Sequence, residues 1–160
     1  MSTTAVVGYA VVGQAVVGNT SSSSSSGGFT RDLLVGLKAD LVSAGITDVI
    51  VFGDLPSTPD RCVALAAYSA VDEPKVAKST IRVQVMCRGI ENDSLDADDL
   101  ADSIFDILQG LEDRTYSTAH LVQCNRVSAV PMGIDGAKRT ARSDNYEIDV
   151  DLPLTAGRPF

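Results

Sequence analysis

The sequence predicts an α+β domain in which a mainly antiparallel sheet of about five strands carries two helices, in the order α-β-β-β-α-β-β. Three patterns carry that prediction. Ile81, Val83, Val85 and Cys87 alternate with Arg82, Gln84, Met86 and Arg88, the two-residue period of a strand with one face in a core. Tyr146, Ile148, Val150, Leu152 and Leu154 alternate with Glu147, Asp149 and Asp151 in the same way. Leu100, Ile104, Ile107, Leu108 and Leu111 recur at helical spacing, with Asp98, Asp99, Asp102 and Asp106 around the rest of the helix.

Taken in chain order, residues 1–18 form an arm in which Ala-Val-Val-Gly recurs every five residues from Ala5. A period of five reverses face in a strand at each repeat, so regular β structure would need bulges or bends at the glycines. Residues 19–28, with serine from Ser21 to Ser26 and then Gly27 and Gly28, have the composition of a flexible linker. The folded domain is expected over 29–160. Phe29, Leu33, Leu34, Leu37 and Leu41 predict its first helix, with Thr30 placed to cap it and Gly45 to end it. Asp48–Phe52 and Arg61–Tyr68 read as strands joined by a loop containing Gly53, Pro56 and Pro59, and an antiparallel pairing is expected. After the strand through Val85, the second helix should start at Ser94, its early aspartates suiting the positive end of the dipole. Leu121–Val130 and the strand from Tyr146 should form a hairpin across a long loop.

Composition narrows the function. With 160 residues and 44% hydrophobic content the chain can bury one core, so function has to reside on the surface of one domain. A net charge of -8 and a pI near 4.4 oppose sequence-independent phosphate binding, which draws on Lys and Arg. Cys62, Cys87 and Cys124 are odd in number and widely spaced among apolar or alternating residues, as expected of buried free thiols in a reducing compartment. The opening segment lacks the cations and the continuous apolar run of a secretion signal. No uncharged apolar run approaches the roughly 20 residues that cross a bilayer.

The residues offer no reaction centre. His120 has no neighbouring nucleophile to complete, and with Cys124, predicted on the same strand face, it supplies only half of a four-ligand zinc site. Glu91, Asp93, Asp96, Asp98 and Asp99 do not make a calcium loop: counted from Asp93, the glycine and glutamate positions hold Asp98 and Ile104. Gly8, Gly13 and Gly18 lack the spacing and lysine of a phosphate loop. No catalytic residue, cofactor or metal is therefore assigned. The stretch from Pro131 to Arg142 stands out instead, as a long glycine-containing loop with Lys138, Arg139 and Arg142 in an acidic chain. These cations are expected to meet Asp98, Asp99, Asp102 and Asp106 of a neighbouring copy across a subunit interface.

The element order from Phe29 to Leu154, and the ending Asp135-Gly136-Ala137-Lys138-Arg139 followed by Arg142-Ser143-Asp144-Asn145-Tyr146, resemble the tail terminator and minor capsid proteins of long-tailed bacteriophages. In that family a similar Gly-Arg loop precedes an Asn-Tyr that begins the last strand. The Ala-Val-Val-Gly repeats depart from its pattern. The resemblance implies a hexameric ring of identical copies that caps the tail tube, stops its polymerisation and joins it to the connector of the head. The partners implied are the chain itself, the tail tube protein and the neck proteins. DNA would pass through without sequence-specific binding, no membrane would be involved, and the site of action would be the virion, assembled in host cytoplasm. Two other readings stand beside it: a head-completion or connector protein of the neck, and a small cytosolic enzyme or ligand-binding domain.

Overall fold

The computed structural model describes residues 28–72 and 78–152. The repeat arm, the linker up to Gly27 and the tail from Pro153, including Leu154, lie outside the described residues.

Helix α1, Phe29–Ser43, buries Leu33, Leu37 and Leu41 completely. Its N-cap is Gly28, and Thr30 lies inside the first turn with no capping bond, which corrects the expected start. Gly45, at φ 106°, ends the helix as anticipated, with its N–H donating to the Val42 carbonyl and that of Ile46 to Leu41. Strand β1, Val49–Phe52, pairs with β2, Cys62–Asp72, in parallel, from Val49 opposite Cys62 to Phe52 opposite Leu65. The antiparallel expectation is overturned because residues 53–61 carry the chain back to the level where β1 began. Only four residues of strand must be recrossed, so a short turn-rich segment suffices without a crossover helix. Arg88 pins that segment through hydrogen bonds to the carbonyls of Pro59 (2.6 Å) and Asp60 (2.8 Å).

Strand β3, Lys78–Glu91, is followed by α2, Asp96–Leu108, which starts slightly later than Ser94. Asp93 Oδ1 accepts the backbone N–H groups of Leu95 and Asp96 and turns the chain into it. Strand β4, Glu112–Tyr116, was not expected: its residues, Glu-Asp-Arg-Thr-Tyr, show no apolar alternation, and all but Tyr116 are exposed. Strands β5, Ala119–Ile134, and β6, Arg139–Asp151, complete a mixed sheet of six strands in the order β1-β2-β3-β6-β5-β4. Its other neighbours are antiparallel.

The long loop expected from Pro131 to Arg142 is mostly sheet. Pro131 pairs with Arg142, Gly133 with Ala141 and Ile134 with Thr140, which leaves only Asp135–Lys138 as a turn. Asn145 and Tyr146 therefore lie in the middle of the last strand rather than at its start. Proline and glycine in this stretch signalled a loop, but both are tolerated where a strand runs along a sheet edge with bulges. Three register shifts interrupt β5. The one between Leu121 and Gln123 changes which side chains face the core, so Ala119, Leu121 and Cys124 are buried while His120 points the other way. His120 and Cys124 do not share a face, contrary to expectation.

Both helices pack on one face of the sheet. Leu33, Leu37 and Leu41 of α1 and Leu100, Ile104 and Leu108 of α2 join Val63, Leu65, Ile81, Val83, Val85, Tyr146, Ile148 and Val150 in one core. Cys62, Cys87 and Cys124 are buried free thiols, and burial pushes all three up, Cys124 to about 12. We expect no labelling by a thiol reagent at pH 8 in the native protein and labelling of all three after unfolding. Rapid native labelling of even one would contradict the packing.

Tyr116 of β4 lies across α1, its hydroxyl donating to Asp40 at 2.5 Å. Gly36 makes room for it: a Cβ there would sit 2.2 Å from the ring. Gly36→Ala should therefore destabilise by about 1–3 kcal/mol in thermal melts, despite the roughly 1 kcal/mol that alanine gains over glycine in a helix. In a Tyr116→Ala background the sign should reverse.

Candidate assembly surface

The predicted cations are drawn together with carboxylates inside one subunit. Asp144 on β6, 2% exposed, accepts a bidentate pair from Arg142 (2.7 and 3.0 Å) and a further bond from Arg126 on β5 (3.0 Å). Arg142 also reaches Asp98 (3.3 Å) and Asp102 (3.0 Å) on α2. The Arg126 guanidinium lies 3.8 Å over the Phe105 ring of α2. The hydrogen bonds that Arg142 donates to Asp144 raise its pKa further, so this guanidinium stays charged. The cluster ties α2 to the middle of the β5–β6 hairpin.

A second tie anchors the hairpin's tip. Arg139 binds Asp135 across the turn (2.7 Å), Asp60 (2.8 Å) and the Ser57 carbonyl (3.0 Å). The Arg139 hydrogen bonds hold the Asp135 carboxyl down at about 2. A depressed carboxyl stabilises above its unfolded value, near pH 4, and that contribution is lost as pH falls through 2. Arg139 thus ties the hairpin tip to residues 53–61. Lys138 crosses the turn at φ 58° and is exposed.

The sheet ends in the short strands β1 and β4, and beyond their reach two further lengths of edge, on β5 and on β2, are open among the described residues. On one side β4 covers β5 only up to Gln123, after which Cys124 bonds Leu111 and Gly110, and Gln109 Oε1 accepts the Arg126 N–H at 2.8 Å. Beyond that cap, residues 127–134 have no outer partner, and Val127, Val130, Met132 and Ile134 are exposed. On the other side β1 covers β2 only through Leu65, whose carbonyl takes the Gly53 N–H, and residues 66–72 are open. Following the pairing registers across the sheet, the open part of β5 is level with the covered part of β2. The two open edges are therefore at opposite corners. An open strand edge is a template for pairing. The bulges and Pro131 on β5 restrict what can pair there.

A family model described as bacteriophage tail terminator protein matches residues 31–152, from the first turn of α1 to the end of β6. The chain belongs to the bacteriophage tail terminator family. The match covers the whole sheet and both helices, and it makes the chain a virion structural protein. A chain from a structure of the virion of a native gene transfer agent particle has the same fold, at a TM-score of 0.65 and 16% identity. The match covers 78% of this chain and 98% of that one. No curated protein matches the sequence.

Within this terminator-family fold, the seven residues singled out from the sequence divide in two. Arg139, Arg142, Asp98 and Asp102 pair within the subunit, whereas Lys138, Asp99 and Asp106 face solvent. Sequence reading missed Arg126 and Asp144, the centre of the cluster, because a lone Asp in a β pattern looks like any outward-facing residue. It also missed the open edges, whose only sequence signal was Val127, Val130, Met132 and Ile134 continuing past Pro131. No described helix is long and apolar enough to cross a membrane, and no described group of His, Cys, Asp or Glu is arranged to hold a metal ion.

Proposed function

We propose that this chain acts as the tail terminator itself. Identical copies close into a ring, six by the family resemblance, that caps the head-proximal end of the tail tube, stops its growth and joins it to the neck. The observation that carries the ring is the pair of open edges at opposite corners of the sheet. A cyclic ring requires two different complementary patches per subunit. Strand directions alternate from β2 through β3 and β6 to β5, so β5 of one copy meets β2 of the next antiparallel when the sheet continues between them. Each side offers a stretch of backbone with no outer partner among the described residues, of similar length, 127–134 and 66–72, and β5 adds apolar side chains. Lys138 and the outward aspartates Asp99 and Asp106 then serve as rim charges that tune registration and rate.

The sheet face away from the helices suits a channel for DNA. On it Lys78 pairs with Asp149 at 3.0 Å and Arg82 with Glu147 at 3.2 Å, and Arg88, 5% exposed, is held by the carbonyls of Pro59 and Asp60. Gln84 bound to Ser143 and Asn145 bound to Ser128 add polar groups to that face. Such a wall is wetted yet offers phosphates little grip. Purified protein mixed with tail tubes and, separately, with portal-bearing heads lacking tails tests the assignment. Binding to one end of the tubes is expected; binding to heads alone would make it a connector protein of the neck instead.

A further inference from the structure

An open groove of about 570 Å³ lies between the first turns of α1 and the end of β1, lined by Gly28, Thr30, Arg31, Leu34, Val35 and Phe52. Its floor is apolar and left in water by the described residues, with Val35 47% and Phe52 46% exposed. Apolar surface of this kind in a concave setting marks a binding site. Nothing in the core or in the open edges uses it. The groove also lies where the described chain begins, since Gly28 forms part of its wall.

We propose that the groove takes one Ala-Val-Val unit of the same chain's own arm. Residues 5–17 supply three such units, each a short apolar cluster separated from the next by Gly and a Tyr or Gln. The nine residues of segment 19–27 can reach about 30 Å at full extension. They are therefore long enough to let a unit fold back beside Gly28. Tethering makes the encounter intramolecular, with an effective concentration in the millimolar range. Weak contacts of two valines suffice at that concentration.

The occupant enters by its side chains and not as an added strand. Lys38 Nζ donates to the Ile50 carbonyl at 2.7 Å and lies 5.4 Å over the Phe52 ring, which obstructs the outer edge of β1. This removes the register problem that a five-residue period raises for a strand, because only one apolar cluster has to fit. Three equivalent units make the docking degenerate, and loss of any one leaves two.

The chain contains no tryptophan, so Phe52→Trp gives a single fluorescent reporter in the groove wall. In the full chain its emission should be blue-shifted and its acrylamide quenching about threefold lower than in a chain lacking residues 1–18. Replacing Val6, Val7, Val11, Val12, Val16 and Val17 by Ser should give the truncated chain's value, while removing one repeat should not. Equal quenching in all four proteins would overturn the proposal. Protection should persist on dilution to monomer; protection that vanishes with dilution would overturn the same-chain assignment and place the arm in a neighbour's groove.

Discussion

Asp144→Asn should cost about 3 kcal/mol in denaturant unfolding, because it keeps the shape of the side chain and removes the charge that two guanidiniums share. Asp144 is nearly inaccessible, and Arg142 and Arg126 would be left facing a neutral amide. Arg142 retains Asp98 and Asp102, which keeps the cost below that of a fully stranded cation. By contrast, Asp99→Asn, on the exposed side of the same helix, should change stability by less than about 0.5 kcal/mol. Similar effects from the two substitutions would mean that the cluster does not hold α2 to the hairpin.

This separation alters what a charge-reversal experiment measures. Reversing Lys138, Arg139 and Arg142 together would break the hairpin's internal ties as well as any contact between copies. A loss of assembly in that triple variant would report on folding first. Lys138→Glu alone is the cleaner probe of the rim, since Lys138 is exposed at the turn.

The largest effect on assembly should come from the β5 edge. Val130→Lys with Ile134→Lys places two charges where a neighbouring strand would be desolvated, and should weaken association by at least about 100-fold. Both residues are exposed in the single subunit, so its melting temperature should barely move. Val42→Lys, equally exposed but on α1, should leave association unchanged. Sedimentation over a concentration series distinguishes the three proteins. Undiminished association of the double variant would remove β5 from the interface.

Much of the architecture was legible because burial imprints a period on the chain. The alternation through Ile81–Arg88 and Tyr146–Leu152 located β3 and β6, and the Leu33–Leu37–Leu41 stripe located α1. What escaped notice was structure that carries no such imprint. β4 is nearly all exposed, and the outer half of β5 is held by backbone bonds on one side only, so its Pro and Gly read as loop. The direction of β1 was likewise invisible, because four residues of strand look the same whether the chain turns back or recrosses. The candidate assembly surface was half legible: the charged residues drew attention by type, but which of them face each other is decided by register between β5, β6 and α2.

In the proposed ring, the open length of β5 in one copy meets the open length of β2 in the next at the end of a tail tube. Electron microscopy of the purified protein with isolated tubes, together with native mass measurement, decides whether such a ring forms. One mass at a fixed multiple of the subunit, and a ring seated on a single end of each tube, is the result expected. A species that stays monomeric at every concentration and leaves both tube ends bare would contradict it.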